Sequence, residues 1–262
     1  MAEQQIRFDD GASYERFMGV WSRSVGEIFL GWLGPSEGLR WIDIGCGNGA
    51  FTELLVERCA PAEVQGVDPS EGQLKFARSR PAARLAKFQI GDAMSLPFPD
   101  NHFDAAVMAL VLFFVPEPAK GVAEMARVAR PGGLVSAYAW DILGGGFPLQ
   151  PLWEELEAFG QQPTLPPSPE ASRIDAMQAL WRAAGLQDIE TREITVNRTF
   201  VDFDEFWAIT LMSPAAKPVL SALGEQQLDL LKSRTRARLP VDAAGHITYS
   251  ARANAVKGTK PK

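Results

Sequence analysis

The stretch Trp41-Ile-Asp-Ile-Gly-Cys-Gly-Asn-Gly49 joins a short apolar run to three alternating glycines, and it decides the fold. Apolar residues at helical spacing follow from Phe51 to Cys59, with Pro61 just beyond. This order predicts a strand, a tight glycine turn and a helix. Because glycine lets the backbone approach a ligand closely at a helix N-terminus, the turn is a candidate cofactor site.

More strands follow the glycine turn, separated from one another by helices or turns. They are predicted at Val64–Val67, Ala86–Ile90, Phe103–Leu110 and Leu134–Trp140. The third of these is apolar except at Asp104, as expected of a strand buried on both faces of a parallel sheet. The alternation predicts right-handed βαβ units, and therefore an α/β fold with a doubly wound, Rossmann-like sheet.

The second half of the chain is less regular. We predict helices at Leu152–Phe159, Ile174–Ala184, Phe203–Leu211 and Val219–Arg238, and strands at Ile189–Val196 and Ile247–Val256. The glycine- and proline-rich stretches between them are typical of linkers. We therefore expect a mostly helical cap insertion over the sheet and a frayed basic tail after the last strand.

Length and composition favour a single globular domain with such an insertion. Apolar residues make up 46% of the 262 residues, and the net charge of −6 provides no attraction for nucleic acid or anionic membranes. Cys46 and Cys59 are too few for a disulfide framework, and the start of the chain has no apolar leader. The longest apolar run is well short of the ~20 residues that a membrane span needs. We expect a cytoplasmic protein with no nucleic-acid and no membrane partner.

Acidic residues lie at the edge where open α/β sheets bind their ligands. Asp68 ends the second strand, Asp92 follows the third, and Asp43 lies in the first. Asp68 can accept hydrogen bonds from both hydroxyls of a ribose, or it can help to cap the helix that begins at Ser70. The segment 45–50 also fits the GxGxxA pattern of NAD-binding oxidoreductases. However, Asp43 would repel a pyrophosphate, whereas S-adenosylmethionine carries a sulfonium and an ammonium that acids attract.

Several segments together resemble the class I S-adenosylmethionine-dependent methyltransferases of the UbiE-like, small-molecule type (methyltransferase type 11). They are Trp41–Gly49, Gly66–Ser70 (GVDPS), Gly91–Phe98 (GDAMSLPF), Phe103–Val107 (FDAAV) and Glu124–Gly133 (EMARVARPGG). The resemblance implies a seven-stranded sheet with the strand order 3-2-1-4-5-7-6, in which strand 7 is antiparallel. It also implies a helical N-terminal cover over residues 1–35 and a methyltransferase domain over 36–262, with cap insertions at about 142–172 and 200–240.

The resemblance further implies a site for S-adenosylmethionine, whose product would be S-adenosylhomocysteine. The glycines would pass beneath the methionine part, Asp68 would hold the ribose, and Asp92 would contact the adenine. Tyr14 and Trp21 could contact the cofactor from the N-terminal helix, or they could instead pack that amphipathic helix on the sheet. The expected cofactor-binding residues are Tyr14, Trp21, Asp43, Gly45, Cys46, Gly47, Gly49, Asp68, Pro69, Gln73, Asp92, Ala93, Met108, Ala109 and Leu110.

The methyl acceptor is expected to be a small organic molecule held beyond the strand ends by aromatic side chains. The expected pocket residues are Phe113, Phe114, Trp140, Trp153, Phe206 and Trp207. Methyl transfer is an in-line displacement, which needs alignment and a water-poor pocket more than a catalytic triad. Many similar enzymes carry a His where this chain has Phe114, so the catalytic base is unknown. Asp141 is the polar candidate on the acceptor side, and the alternative is that it caps a helix or turn ahead of Ile142.

Other functions stay open at this point. They are an NAD-dependent oxidoreductase, an RNA or protein methyltransferase, and a protein that binds S-adenosylmethionine without catalysis, because fold alone does not establish activity. The basic residues of 232–238 could serve an RNA substrate, but on a helix they spread around the circumference rather than along one face. No spaced set of Cys and His residues predicts a metal site.

Overall fold

The computed structural model describes residues 15–162 and 164–262. They contain one seven-stranded sheet and the helices that flank it. Its strands are β1 (Arg40–Ile44), β2 (Glu63–Asp68), β3 (Ala86–Ile90), β4 (Phe103–Ala109), β5 (Ala129–Trp140), β6 (Gln187–Phe200) and β7 (Ile247–Thr259). The order is β3-β2-β1-β4-β5-β7-β6. Strands β1 to β5 are parallel, and β7 is antiparallel to both β5 and β6. The predicted fold class and strand order are confirmed.

One α-helix precedes the first strand, and the others lie between strands along the chain. The α-helices are α1 (Val20–Leu33), α2 (Ala50–Cys59), α3 (Glu71–Ala77), α4 (Pro118–Val128), α5 (Gln150–Ala158), α6 (Ile174–Ala183), α7 (Phe203–Thr210), α8 (Lys217–Ala222) and α9 (Glu225–Arg238). A π-helical turn at Glu15–Gly19 leads into α1, and a 3₁₀ turn at Leu112–Phe114 follows β4. Within the described part of the chain, none of the helices has the length and apolarity that crossing a bilayer requires.

The helical elements fall where a cover and two insertions were expected. The π-helical turn and α1 precede the sheet, α5 lies between β5 and β6, and α7 to α9 lie between β6 and β7. The domain boundaries themselves stay a prediction.

The helix predicted over Val219–Arg238 is wrong in one respect, because it is two helices. Leu223 is extended, with φ −80° and ψ 141°, and it ends α8. Gly224 is extended as well and begins α9, where its N–H donates to Oε1 of Gln227 at 3.2 Å. The apolar spacing continues through this point, so periodicity alone could not show the break.

The basic tail predicted to fray is instead fixed to the sheet. Strand β5 begins at Ala129, before the predicted Leu134, and residues 130–133 form an irregularity within it, where the register with β4 shifts. The N–H of Gly132 donates to the carbonyl of Lys260 at 2.8 Å, and the N–H of Lys260 donates back to Gly133 at 2.9 Å. The ammonium of Lys260 also donates to Oδ1 of Asn101 at 2.8 Å. Backbone groups that the irregularity leaves unpaired in β5 are thus satisfied by the tail.

An aromatic cluster holds the N-terminal helix on the sheet. The ring of Phe29 in α1 lies 4.6 Å from that of Tyr138 in β5, and Phe51 in α2 lies 5.7 Å from the same ring. Phe29 and Tyr138 are almost completely buried. The helical cover is therefore part of the hydrophobic core, and it leaves the carboxyl ends of β1 to β5 along one edge for the candidate site.

Candidate functional site

The loop after β1 holds its three glycines in left-handed backbone conformations. The φ angle is +71° at Gly45, +52° at Gly47 and +80° at Gly49, a region that favours glycine. The N–H groups of Gly45 and Cys46 both donate to the carbonyl of Val67, at 2.7 and 3.0 Å. These bonds fix the glycine loop to the end of β2.

The three glycines differ in the space around them. A Cβ at Gly45 would lie 2.5 Å from Cγ2 of Val111, and a Cβ at Gly49 would lie 2.9 Å from Cβ of Ala77. A Cβ at Gly47 would meet nothing closer than a backbone oxygen at 4.0 Å. Packing therefore requires Gly45 and Gly49, whereas Gly47 presents its backbone to open space that a ligand can enter.

Asp68 joins the glycine loop to the turn after β2. Its carboxylate accepts from the N–H of Gly47 at 2.9 Å and from the N–H of Ser70 at 2.8 Å. Ser70, not Asp68, is the N-cap of α3, since its hydroxyl accepts from the N–H of Gln73. Burial raises the pKa of Asp68, and the two backbone hydrogen bonds oppose that rise. Of the two other predicted residues in this turn, Pro69 is exposed and Gln73 is buried.

Asp43 is a fully buried acid beneath the same loop. Its Oδ2 accepts from Oγ1 of Thr52 at 2.6 Å, and its Oδ1 has no hydrogen-bond partner among the described residues. Burial, followed by the nearby charge of Asp68, raises the pKa of Asp43 to about 7. Burial also raises the pKa of the Cys46 thiol. The Cys46 thiol therefore stays protonated near neutral pH, whereas a nearby cation would favour the ionised form of Asp43.

Asp92 and Ala93 lie at the end of β3, as predicted. Asp92 is exposed, and its Oδ1 accepts from the N–H of Met94 at 2.8 Å, while Ala93 is half-buried. The carboxylate and the neighbouring backbone thus form a small polar turn at the sheet edge. Contact of this turn with adenine stays a prediction.

The end of β4 brings three predicted residues to the centre of the edge. Met108 is fully buried, Ala109 is half-buried, and Leu110 is buried with φ +62°. A left-handed conformation is uncommon for leucine and is held here by the N–H of Leu110, which donates to the carbonyl of Tyr138 at 2.8 Å. Such strain is concentrated at functional sites in proteins.

Trp21 of the N-terminal cover contacts the hydrophobic core. Trp21 is buried, and its ring lies 5.2 Å from the ring of Tyr249 in β7, as the packing alternative expects. Contact of Trp21 with the cofactor stays a prediction. Tyr14, the other predicted residue, lies outside the described residues.

Sequence reasoning missed a polar network that binds the cover to the glycine loop. The guanidinium of Arg80 pairs with Glu15 of the π-helical turn and with Glu53 of α2, the latter at 2.7 Å. Its Nε donates to the carbonyl of Asn48 at 2.6 Å, and the side-chain amide of Asn48 donates to Glu15 at 2.9 Å. These residues are far apart in sequence, and no motif marks them.

An apolar cavity that is partly open to solvent lies beyond the ends of β4 and β5. Four of the six predicted pocket residues line it. The lining residues are Phe17, Met18, Leu110, Phe113, Phe114, Trp140, Ile142, Phe147, Trp153, Thr164, Pro166, Ser213, Pro214 and Ala215. Leu110 belongs to this lining, and its neighbour Val111 packs on Gly45 of the glycine loop. The cavity therefore adjoins the candidate cofactor site.

The structure does not bring the other two predicted pocket residues to this cavity. Phe206 packs 5.4 Å from Phe200 and 5.8 Å from Tyr249, between ring centroids, and Trp207 stacks 6.0 Å from Phe203. Both side chains are buried in the core of the second insertion. Their aromatic character identified a buried helix face but could not distinguish core from pocket.

Asp141 follows β5 at the rim of this region, and its carboxylate is already engaged. Oδ2 accepts from Nε and Nη2 of Arg252 at 3.0 and 2.5 Å, and Oδ1 accepts from the N–H of Gly144 at 3.0 Å. These contacts match the turn-capping alternative. A role as catalytic base stays a prediction that would require this ion pair to open.

The basic stretch of α9 is paired within the molecule. Glu155 of α5 is buried and pairs with both Arg234, at 2.6 Å, and Arg238. Lys232 pairs with Asp204 at 3.3 Å. The cations thus fix α9 to the neighbouring helices, which weakens their case as a nucleic-acid surface. No cluster of three or more metal-ligating side chains occurs in residues 15–162 and 164–262.

Comparison with known sequences matches residues 42–137 to the family described as "Methyltransferase domain". A relative from Staphylococcus aureus, named demethylmenaquinone methyltransferase, is 35% identical over 137 residues. The alignment covers 52% of this chain and 55% of that protein, so the chain spans about half the length of the curated relatives it matches.

Solved structures share the fold along most of the chain. Phosphoethanolamine N-methyltransferase 2 of Haemonchus contortus, solved with S-adenosyl-L-methionine, has a TM-score of 0.60 at 20% identity and covers 96% of this chain and 56% of its own. YcgJ of Bacillus subtilis has a TM-score of 0.58 at 18% identity and covers 91% and 98%. SpnF, named a [4+2]-cyclase, has a TM-score of 0.56 at 20% identity and covers 91% and 80%. At these identities the likeness shows the fold alone.

Proposed function

We propose that this chain is a class I S-adenosylmethionine-dependent methyltransferase, which binds that cofactor and transfers its methyl group to a small organic acceptor. Residues 42–137 match the family described as "Methyltransferase domain". The observation that carries the proposal is the junction at Leu110 and Val111. There an acid-lined glycine loop, suited to a cationic cofactor, adjoins an apolar cavity suited to an acceptor.

The residues of the loop fit the proposed cofactor. Gly47 leaves room for a ligand against its backbone, and the orphaned Oδ1 of Asp43 and the carboxylate of Asp68 supply negative charge beside it. A sulfonium and an ammonium are attracted to these acids, whereas the pyrophosphate of a dinucleotide is repelled. The same charges therefore disfavour the NAD-dependent oxidoreductase alternative.

When bound, S-adenosylmethionine supplies an electrophilic methyl group, and its sulfur keeps the bonding electron pair as the acceptor's lone pair forms the new bond. The chain's part is to hold the two reactants in line and to exclude water. Met108 and Leu110 would flank the methyl group, and the aromatic lining beyond them would orient the acceptor. A proton carried by the acceptor atom would leave through the open side of the cavity, because Asp141 is paired with Arg252.

The acceptor that this cavity suits is small, flat and apolar. The Staphylococcus aureus relative carries demethylmenaquinone in its name, and an acceptor of that general kind suits an aromatic lining. The fold does not decide between transfer and another reaction, since a named cyclase shares it. A binding protein without catalysis is therefore the second candidate.

Calorimetric titration tests the cofactor half of this proposal. S-adenosylmethionine, S-adenosylhomocysteine and NAD would be titrated into the wild type, into Asp68→Ala and into Asp229→Ala, a control at an exposed acid of α9. We expect micromolar binding of the two sulfur compounds, no binding of NAD, and a 10-fold or greater loss for Asp68→Ala alone, since about 1.5–3 kcal/mol is typical of a hydrogen bond to a charged group.

Release of S-adenosylhomocysteine in the presence of an acceptor tests the catalytic half. Binding of NAD without the sulfur compounds would overturn the methyltransferase proposal in favour of an oxidoreductase. Tight cofactor binding without turnover for any oxygen, nitrogen or carbon acceptor would favour the non-catalytic alternative.

A further inference from the structure

One turn of the N-terminal cover contacts both the glycine loop and the apolar cavity. It is the π-helical turn that leads into α1. The carboxylate of Glu15 in this turn accepts hydrogen bonds from the side chains of Asn48 in the glycine loop and of Arg80. Phe17 and Met18 of the same turn are buried and line the cavity. A single short segment therefore joins the candidate cofactor site to the wall of the candidate acceptor site.

The guanidinium of Arg80 is the centre of the contact with the loop. Only 12% of its side-chain surface is exposed, and it pairs with Glu15 and, at 2.7 Å, with Glu53 of α2. Its Nε donates to the carbonyl of Asn48 at 2.6 Å, and the side-chain amide of Asn48 donates to Glu15 at 2.9 Å. Charge-assisted hydrogen bonds are stronger than neutral ones, and partly buried ion pairs are screened little by salt. The turn is therefore held firmly to the loop.

Asn48 connects this ion-pair network to the position where a ligand can enter. Its neighbour Gly47 presents its backbone to open space, because an added Cβ would meet nothing closer than 4.0 Å. Asn48 itself is buried. A ligand against Gly47 would restrict the backbone of Asn48, to whose carbonyl Arg80 is bonded. Energetic coupling in proteins is carried by contiguous contacts of this kind.

The last residue of the turn makes room for the carboxylate that contacts the loop. A Cβ at Gly19 would lie 2.9 Å from Oε1 of Glu15 and 3.0 Å from its Cδ. The backbone of Gly19 is in the right-handed helical region, with φ −53° and ψ −45°, where alanine is preferred to glycine. The backbone conformation therefore does not explain this glycine, whereas the position of the Glu15 side chain does.

We propose that Glu15 and Arg80 are positioning residues that couple the two halves of the site. Occupancy of the glycine loop fixes the turn, and the turn places Phe17 and Met18 in the wall of the acceptor cavity. The wall is thus completed when the cofactor is bound, which favours binding of the cofactor before the acceptor. This inference rests on the proposed function, because it describes how the two ligands of the same site are coupled. Neither positioning residue takes part in the transfer step.

Hydrogen exchange with and without S-adenosylhomocysteine measures this coupling, and it needs no identified acceptor. In the wild type, saturating S-adenosylhomocysteine should slow exchange of the backbone N–H groups of residues 45–49, which it would contact. It should also slow exchange of residues 15–19 by at least about 5-fold, because coupling of this size or larger is typical of linked sites.

Two variants break the contact between the turn and the loop in different ways. Glu15→Ala removes the carboxylate, whereas Gly19→Ala displaces it with a methyl group and leaves every charge in place. In both variants we expect residues 45–49 to keep their ligand-dependent protection and residues 15–19 to lose it.

Arg80 is tested by a pair of variants of its own. Arg80→Gln removes the cation, so residues 15–19 should lose their ligand-dependent protection, and Arg80→Lys, which keeps a positive charge, should retain part of it. Full protection in Arg80→Gln would contradict the role of Arg80. Arg80→Gln also leaves the carboxylate of Glu53, 14% exposed, without its cation. Where this variant fails to fold, the substitutions at Glu15 and Gly19 decide the test.

Glu27→Ala is the matched control, because it removes another ion pair of the same helical cover. Glu27 of α1 pairs with Arg58 of α2 at 2.8 Å, and this pair includes no residue of the glycine loop. The side chains of Glu27 and Glu15 are similarly exposed, at 40% and 42%. Glu27→Ala should keep the wild-type protection of residues 15–19.

Three results would overturn the proposal. The first is protection of residues 15–19 that persists in Glu15→Ala and Gly19→Ala, because the ligand would then act on the turn without this contact. The second is loss of that protection in Glu27→Ala, which would indicate general loosening of the cover. The third is a wild type in which the ligand protects residues 45–49 alone. A wild type in which the ligand protects neither segment would instead reject the proposed function.

Discussion

The glycine loop and the apolar cavity lie side by side and are built in opposite ways. The loop uses backbone N–H groups and two buried or half-buried acids, Asp43 and Asp68, within about one βαβ unit of sequence. The cavity has no charged residue in its described lining and is assembled from segments that extend from Phe17 to Ala215. One region suits a cation of fixed structure, and the other suits an apolar molecule.

The difference indicates how such a fold separates its two tasks. A cofactor common to many enzymes can be held by a local strand-turn-helix unit, in which glycine conformations determine the geometry. An acceptor specific to one enzyme is held by insertions, whose aromatic side chains can change without altering the sheet. We therefore expect ligand binding to depend on charge and backbone geometry at the glycine loop, and on apolar packing at the cavity.

The largest expected effect is on the backbone of the glycine loop. Gly45→Ala places a Cβ 2.5 Å from Val111 in a left-handed conformation, so we expect a loss of about 2–5 kcal/mol of unfolding free energy and loss of cofactor binding. Gly47→Ala meets no such contact and should lose about 1–2 kcal/mol from backbone strain alone, while its methyl group hinders the cofactor. Denaturant unfolding and calorimetric titration measure the two effects.

Gly31→Ala provides the control, because this glycine lies in α1 with no atom within 4 Å of an added Cβ. It should leave stability unchanged or raise it by up to about 1 kcal/mol. Equal stability of the Gly45 and Gly31 variants would show that the glycine loop can accommodate a Cβ at Gly45. Tight backbone packing would then not distinguish the loop from the cavity.

A smaller effect is expected from pH, and it should be confined to the cofactor side. Burial raises the pKa of Asp43 to about 7 from 3.8, so the folded chain holds this proton more tightly than the unfolded chain. The resulting stability is fully present below about pH 4 and is lost as the pH rises through 7. Between pH 5 and 7 the wild type should therefore lose about 2 kcal/mol more than Asp43→Asn, which cannot titrate.

Denaturant unfolding at several pH values measures this difference. Asp229→Asn, at an exposed acid, should follow the wild type, and so should Trp153→Phe, because the described cavity lining contains no titratable group. Parallel pH profiles for the wild type and Asp43→Asn would show that Asp43 is ionised throughout this range, and that burial does not raise its pKa to about 7.

The sequence predicted the loop well because its signals are local. Strand, glycines and helix are adjacent between residues 41 and 59, and a positive φ at each glycine follows from the tight turn. Ser70 likewise marks the start of α3, because a capping hydroxyl acts within three residues. Physical effects with short range in sequence leave patterns that can be recognised in one chain.

The cavity was predicted in part because its contacts have long range in sequence. Trp140 and Trp153 were identified by their aromatic type and by their place beyond β5, but Phe206 was placed in the wrong surroundings by the same reasoning. Phe17 and Ser213 come from segments whose periodicity does not indicate which cavity they face. The pairing of Arg80 with Glu15 joins residues 65 positions apart, and no local preference encodes it.

The smallest expected effect is at the rim of the cavity. It tests whether a charged residue takes part in the reaction on the acceptor side. Asp141 pairs with Arg252 and caps the turn at Gly144, so Asp141→Asn and Arg252→Gln should each lower the unfolding free energy by about 1–2 kcal/mol. Because both remove one interaction, the double variant should cost little more than either single variant. The rate of S-adenosylhomocysteine release with an accepted substrate should change less than about 3-fold in both. A general base contributes about 100-fold or more, so a fall of that size in Asp141→Asn alone would make Asp141 a catalytic residue and bring charge into the acceptor side after all.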